Sequence, residues 1–360
     1  MINTIDEKYI KLCFDLAKGS AGRVSPNPLV GSVIVKDGQI ISTGRHQKYG
    51  EAHAERNAIN SAKQDLTGAA LYCNLEPCMH TDKQTPPCVP AIISSGITKV
   101  VISNVDSNAK VNGKGIKNLR EAGLDVVSGV LEKEGKELNR FFFKYIETGM
   151  PYITVKIASS SDGKISAAKG TQTWLTGEES QIFVHQQRAI YDAVLVGANT
   201  INVDNPQLSV RKVEGRNPIR IILDGNLSSN VESKVFNDED CRTLVFCSKL
   251  ADEKKKNEFV KRKIDLIELE PEKNNVLSIE EIMTRIAKEN ISSVFIEGGS
   301  KIFSQFIARD LFDEIIVLKA PLILKSGVET IDLDAKKNLI LYQDQKLGKD
   351  IKQIYRLRGN

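Results

Sequence analysis

His53-Ala54-Glu55, Leu75-Glu76-Pro77-Cys78 and Thr85-Pro86-Pro87-Cys88 mark three successive element boundaries in the first half of the chain. Residues 53–63 read as a helix with His53 in its first turn. Residues 69–75 read as a strand whose end delivers Pro77-Cys78, and Cys88 opens a helical stretch through Ser95. Upstream, Tyr9, Leu12, Cys13, Leu16 and Ala17 form an apolar helical stripe over residues 7–18, closed by Gly19. Residues 29–35 and 40–43 read as strands joined at Asp37-Gly38, a dipeptide that favours a tight hairpin. Downstream, strand 100–103, helix 116–121 and strand 126–130 complete an alternation that predicts a mostly parallel sheet covered by helices. Two of the three Cys/His positions then lie at or near helix N-termini, where the dipole favours thiolate over thiol. This order places them at one edge of the sheet.

Imidazole with two thiolates is an established ligand set for catalytic zinc, which keeps a fourth position for water. His53, Cys78 and Cys88 are therefore the candidate zinc ligands. Zinc lowers the pKa of bound water to about 7, and a carboxylate close to the ligand histidine can carry the released proton to a leaving nitrogen. Glu55 has that place. H-x-E followed by P-C-x-x-C is the signature of zinc nucleobase deaminases. The first half matches; the second does not, because Met79 through Pro87 separate the cysteines. Cys13, Cys73, Cys241 and Cys247 sit in apolar surroundings and read as small core residues.

At 360 residues the chain is long for one domain and sufficient for two. With 50 basic and 46 acidic side chains interspersed, it carries no nucleic-acid footprint. The densest basic stretch, Lys254-Lys255-Lys256 with Lys261, Arg262 and Lys263, is diluted by Asp252, Glu253 and Glu258 and reads as a solvated helix face. Six irregularly placed cysteines make no disulfide framework and imply a reducing compartment. No signal-peptide core and no run of 18 apolar residues is present, so a cytoplasmic protein with no membrane partner is expected.

Thr148-Gly149-Met150-Pro151, after Phe141-Phe142-Phe143, separates a domain of residues 1–147 from one of residues 148–360. Strands at 152–158, 193–196, 219–223, 244–247, 266–269, 294–296 and 314–317 predict a second α/β sheet. Val294-Phe295-Ile296-Glu297-Gly298-Gly299-Ser300 runs a buried strand through glycines into a helix, a place where backbone N–H groups can approach a phosphate. No G-x-G-x-x-G follows the domain's first strand, so a dinucleotide bound here would need another fold.

Read with their flanks, Leu75-Glu76-Pro77-Cys78-Met79-His80 and Thr85-Pro86-Pro87-Cys88, together with Pro26-Asn27-Pro28-Leu29-Val30-Gly31 and Gly44-Arg45-His46, resemble the deaminase half of the bifunctional riboflavin-biosynthesis deaminase/reductase family. The segment between the cysteines is one residue longer than the family's usual form, through Thr81-Asp82-Lys83-Gln84. Over roughly residues 1–145 the resemblance implies a cytidine-deaminase-like three-layer α/β fold with one zinc per chain. Asn27, His46 and Glu55 would border the pyrimidine substrate. His80 would touch it too, with a solvated loop histidine as the alternative.

Residues 151–330 resemble the family's reductase half, which is similar to dihydrofolate reductases. The matching stretches are Lys156-Ile157-Ala158-Ser159-Ser160-Ser161-Asp162-Gly163, Trp174-Leu175-Thr176-Gly177, Arg188-Ala189, Val196-Gly197 with Thr200, Asp204-Asn205-Pro206-Gln207-Leu208-Ser209-Val210-Arg211 and Glu297-Gly298-Gly299. The resemblance implies a dihydrofolate-reductase-like α/β domain in which Ala158, Trp174, Thr200, Asp204 and Gly299 contact NADPH. Arg188, Leu208 and Arg211 would hold the substrate, with Glu297 near its sugar. Gln172 and Thr173 depart from the serine expected two places before Trp174. Guanidinium groups fork onto phosphate oxygens, so Arg188 and Arg211 could anchor a sugar phosphate. Lys156, on an apolar strand, needs a partner for a buried ammonium, and Glu297 is the candidate; either could orient the sugar.

The implied activities are hydrolytic deamination of 2,5-diamino-6-ribosylamino-4(3H)-pyrimidinone 5′-phosphate and NADPH-dependent reduction of its ribosyl group to ribityl. The implied partners are that small-molecule substrate and, through the reductase half, further copies of the chain. The rival readings are a nucleic-acid deaminase with an unrelated C-terminal module, a family member with one active half, and a zinc-stabilised scaffold without activity.

Overall fold

In the computed structural model, residues 4–79, 85–108, 111–238, 240–272, 276–333 and 335–359 are described. The chain divides within Thr148-Gly149-Met150-Pro151 into two units, Met1–Gly149 and Met150–Asn360.

The first unit runs α1 (Thr4–Lys18), β1 (Gly31–Lys36), β2 (Gln39–Arg45), α2 (Ala54–Ser61), β3 (Ala70–Leu75), α3 (Cys88–Ser94), β4 (Lys99–Asn104), α4 (Lys114–Glu121), β5 (Asp125–Ser128), α5 (Glu132–Leu138) and α6 (Arg140–Thr148). Among the described residues its strands form one sheet in the order β2-β1-β3-β4-β5. β1 is antiparallel to β2 and β3, and β3, β4 and β5 are parallel. Strand side chains alternate between faces, and both faces are apolar. Tyr9, Ile10, Cys13 and Phe14 of α1 pack on Val33, Val35, Tyr72 and Val101. Ala54, Ala58, Val89, Ile92, Ile116 and Leu119 of α2, α3 and α4 cover Ile34, Leu71, Cys73, Val100 and Ile102 on the other face. Helices thus sandwich the sheet, as the three-layer expectation requires. Fully burying a side chain such as Ile10 or Ile92 contributes about 1.5–3 kcal/mol.

Asp37 and Gly38 have φ of 52° and 75°, and Lys36 pairs with Gln39 across them. Those positive φ values match the right-handed twist of the strands that follow. Gly44 has a different task. A Cβ there would lie 2.2 Å from the Ala54 carbonyl and 2.3 Å from the Ala58 nitrogen, so the bare backbone of β2 lets α2 lie directly across it.

The second unit runs β6 (Tyr152–Ser159), β7 (Lys164–Ser166), α7 (Glu178–Ile190), β8 (Ala193–Gly197), α8 (Ala198–Asp204), β9 (Ile219–Leu223), β10 (Thr243–Ser248), α9 (Glu253–Lys261), β11 (Asp265–Leu269), α10 (Ile279–Lys288), β12 (Ser293–Gly298), α11 (Ser300–Ala308), β13 (Glu314–Lys319), β14 (Val328–Glu329), β15 (Leu339–Leu347) and β16 (Asp350–Leu357). Among the described residues the main sheet has the order β11-β10-β9-β8-β12-β6-β13-β16-β15. It is parallel from β11 to β13 and ends in the antiparallel β16/β15 hairpin. One face buries Val155, Leu195, Ile221 and Ile296 under Ile282, Ile286, Phe303 and Phe306 of α10 and α11. Val194, Val196, Ile222 and Val245 on the other face meet Ile201, Val235 and Phe259. The chain leaves β6 for β8 and later returns to insert β12 between them, and open α/β sheets bind ligands beyond the carboxyl ends of strands at such a reversal.

Two expectations need correction. His53 is the N-cap of α2 rather than part of its first turn. Lys256 is buried rather than solvated: its ammonium donates to Glu253 at 2.8 Å, Glu268 at 2.7 Å and the Lys249 carbonyl at 2.9 Å. The β15/β16 hairpin has no counterpart among the strands predicted from sequence. Its outer strand is exposed at every position between its ends, so it carries no alternating pattern.

Candidate active sites

Beyond the carboxyl end of β3, the central strand of the first sheet and not an edge strand, Cys78 meets His53 and Cys88. Their ligand atoms lie within 4.8 Å of one another. His53 Nδ1 is 3.3 Å from Cys78 Sγ and 3.4 Å from Cys88 Sγ. A nitrogen and a sulfur held tetrahedrally on one zinc at ordinary bond lengths stand roughly 3.6 Å apart, so the three side chains fit that ion. The other ring nitrogen, Nε2, lies 3.2 Å from Thr85 Oγ1. A proton on Nε2, donated to Thr85, leaves the Nδ1 lone pair facing the sulfurs.

Nine residues separate the cysteines, yet the backbone closes the gap. The Cys78 carbonyl accepts from the N–H groups of Cys88 at 3.1 Å and Val89 at 3.2 Å, which fixes the first turn of α3 to the ligand strand. Just upstream, buried Glu76 accepts backbone N–H groups from Asp106, Gly113 and Ile116 at 3.2, 2.9 and 3.1 Å. That carboxylate ties the β4–α4 connection to the Pro77-Cys78 turn. The two thiols are coupled: the Cys88 thiol lowers its neighbour Cys78, while Cys78 and burial push Cys88 up, so the pair gives up its first proton more readily than its second.

Glu55, in the first turn of α2, is only 3% exposed and lies within electrostatic reach of His53, Cys78 and Cys88. Burial raises its carboxyl to about 7, with His53 opposing the rise. His46 lies with its ring centroid 5.4 Å from that of His53. Its Nδ1 donates to the Ala52 carbonyl and its Nε2 accepts from Asn27 Nδ2, both at 3.2 Å. Asn27, His46 and Glu55 are thus gathered at the candidate metal centre. His80 lies outside the described residues. Cys13, Cys73, Cys241 and Cys247 are buried, as read from sequence.

In the second unit, Ile296 of β12 is in register with Val155 of β6, so Glu297 stands beside Lys156 on the opposite face from those two apolar residues. Glu297 does not pair with Lys156 directly. Both its oxygens are taken by Arg188 of α7, through Nε and, at 2.8 Å, through Nη2. Burial works against the Glu297 carboxylate, but Arg188 and Lys156 outweigh it and hold it below its ordinary range. Lys156 has no hydrogen-bonded or ion-paired partner among the described residues, and burial depresses its ammonium, with Glu297 and Asp204 opposing. Burial raises Asp204, at the end of α8, against the pull of Lys156.

Thr200 and the Gly298-Gly299 turn adjoin: a Cβ on Gly299, the N-cap of α11 at φ 86°, would sit 3.5 Å from Thr200 Oγ1. Trp174 is 76% exposed, which removes core packing as its role. Leu208 is buried at φ 55°, and Arg211 Nη1 donates to Ser209 Oγ at 2.7 Å and to Gln207 Oε1 at 3.3 Å. Ala158 lies at the carboxyl end of β6, one strand from Glu297. Asp350, in the β15/β16 hairpin, accepts from Gly177 N and Ser180 Oγ and so caps α7, which carries Arg188. Sequence reasoning missed Thr85, Glu76, His185 and Asp350 as supporting residues. For His185 a signal existed, since it stands one helical turn from Arg188.

Residues 3–104 match the cytidine and deoxycytidylate deaminase zinc-binding region, and residues 151–353 match the RibD C-terminal domain. The chain is 41% identical to the riboflavin biosynthesis protein RibD of Aquifex aeolicus over 335 residues, covering 92% of each. It is 38% identical to the RibD of Bacillus amyloliquefaciens, covering 97% of this chain and 95% of that one. A solved structure from Thermotoga maritima, a diaminohydroxyphosphoribosylaminopyrimidine deaminase/5-amino-6-(5-phosphoribosylamino)uracil reductase, is similar at TM-score 0.86 and 38% identity, covering 98% of this chain and 99% of that one. The chain belongs to the RibD family, the bifunctional zinc-dependent deaminases and NADPH-dependent reductases of riboflavin biosynthesis.

Proposed function

We propose that the first unit hydrolyses the ring amino group of 2,5-diamino-6-ribosylamino-4(3H)-pyrimidinone 5′-phosphate at the His53, Cys78 and Cys88 centre, and that the second unit reduces the ribosyl group to ribityl. The observation that carries this reading is the His/Cys/Cys cluster whose ligand atoms lie within 4.8 Å, with the buried Glu55 carboxyl two residues after His53. Zinc held there supplies a Lewis acid that activates water. Glu55 takes the proton that water loses and delivers it to the amino nitrogen as the carbon–nitrogen bond breaks, so oxygen stays on the ring and ammonia leaves. Asn27 and His46 border the pyrimidine, His46 in the tautomer set by Ala52. His80 belongs to the same substrate site in this reading.

In the second unit Ala158, Trp174, Thr200, Asp204 and Gly299 bind NADPH, whose chemistry is the hydride itself. Arg188, Leu208 and Arg211 hold the ribosyl phosphate, and Lys156 and Glu297 orient the sugar. Because Arg188 is forked onto Glu297, Arg211, which forms no ion pair among the described residues, is the guanidinium more available for phosphate. Purified protein given this substrate and NADPH should release ammonia and oxidise NADPH one for one. NADPH oxidation without ammonia, or neither, refutes the reading.

The protein acts in the cytoplasm in this reading; among the described residues no helix is long and apolar enough to cross a membrane. Further copies of the chain associate through the second unit. The edge strand β15 supports this, exposing Ile340, Leu341 and Tyr342 beside a strand edge that is unpaired among the described residues. Light scattering that gives a monomer mass at micromolar concentration would contradict it.

A further inference from the structure

The segment before and including Arg211 is fixed from outside at successive residues. Leu208 turns it with a φ of 55°, a conformation that residues with side chains seldom adopt. Ser209 offers its carbonyl to Arg188 Nη1 at 3.1 Å, Val210 N–H donates to Asn217 Oδ1 at 2.7 Å, and Arg211 N–H donates to His185 Nδ1 at 3.0 Å. We propose that His185 is a positioning residue for the reductase substrate: as a neutral acceptor it latches the Arg211 backbone, so that the guanidinium is in place before the ribosyl phosphate arrives. This rests on the reading that Arg211 binds that phosphate.

The chemistry leaves little freedom. A backbone N–H can only donate, so His185 Nδ1 must carry a lone pair and the ring proton must sit on Nε2. An imidazolium would present N–H to N–H and release the latch. The surroundings guard against that state. His185 is 6% exposed and is faced by Arg188 from its own helix, by Arg211 and Lys212 from the segment it holds, and by Glu297 from β12. Burial first, then Arg188 and Arg211, push the ring down to about 4, while Glu297, already engaged by Arg188, only partly opposes. The latch is therefore closed at neutral pH and opens only in acid.

The test uses the full-length, zinc-loaded enzyme with 5-amino-6-(5-phosphoribosylamino)uracil and NADPH. His185→Phe fills the space without the acceptor and should raise KM for the ribosyl phosphate about tenfold, the effect of leaving a buried amide unpaired. Its kcat and its KM for NADPH should stay within about twofold, since only uniform binding is lost. His185→Asn places an amide oxygen near the Nδ1 position and should recover most of the loss. It should also remove the part of the expected wild-type rise in KM between pH 6 and 4 that exceeds the rise both enzymes share as the substrate phosphate takes up its second proton at about pH 6. That pH comparison decides the matter even where the Phe variant does not fold. Arg211→Ala is the control: if it leaves KM unchanged, the substrate reading fails and takes the proposal with it. If Arg211→Ala raises KM while His185→Phe does not, or while wild type and His185→Asn share one pH profile, the proposal alone is overturned.

Discussion

Thr85→Val removes one hydroxyl and keeps the shape of the side chain, so it isolates the hydrogen bond to His53 Nε2. In the wild type this bond keeps the ring proton on Nε2 and the Nδ1 lone pair toward Cys78 and Cys88, 3.3 and 3.4 Å away. Outer partners of metal-binding histidines contribute about 10–100-fold in metal affinity. At 3.2 Å the bond is at the long end of its range, so the loss should fall near the lower limit, about tenfold or ~1.4 kcal/mol. Titrating zinc away with a chromogenic chelator at constant pH measures it directly. Thr85→Ser, which keeps the oxygen, should lose less than half as much. Equal zinc affinity in wild type and Thr85→Val would refute the reasoning and leave His53 oriented by packing alone.

Other perturbations test other joints. Gly44→Ala sets a methyl 2.2 Å from the Ala54 carbonyl, so α2 must shift; thermal denaturation of the first unit should show about 1–3 kcal/mol lost, with weaker zinc retention. Glu297→Ala leaves the buried Arg188 guanidinium uncompensated and should cost about 3–5 kcal/mol in denaturant unfolding of the second unit; an unchanged midpoint would mean that Arg188 reaches water. Because folding lowers the pKa of His185 to about 4, the unfolded chain takes up its proton first as pH falls below about 6.5. Second-unit stability should therefore decline between those values, and less steeply in His185→Asn.

The candidate metal centre was legible because its three Cys/His positions follow element boundaries. Pro77-Cys78 ends an apolar strand and Cys88 starts a helix, so the sequence order already sets them beside one another. Its support was not legible: Glu76 binds amides 30 to 40 residues away, and nothing local distinguishes such a carboxylate from a solvated one. In the second unit the strands declared themselves by apolar runs, whereas the pairing of ions did not. A buried ammonium on an apolar strand needs a counter-ion, which made Lys156 and Glu297 look like partners; α7, placed by the packing of the whole unit, brings Arg188 to Glu297 first. Lys256 illustrates the same limit, since a lysine in a basic run becomes buried only once β11 supplies Glu268. Edge position hid the β15/β16 hairpin, because a strand exposed on both sides has no pattern to read.

Glu55→Gln separates the two halves of the account most directly. The amide keeps the size of the carboxyl and cannot shuttle a proton, so ammonia release from the diaminopyrimidine substrate should fall at least about a hundredfold. NADPH oxidation with the deaminated intermediate should continue at the wild-type rate. Deamination at the wild-type rate by Glu55→Gln would contradict the mechanism assigned to the first unit.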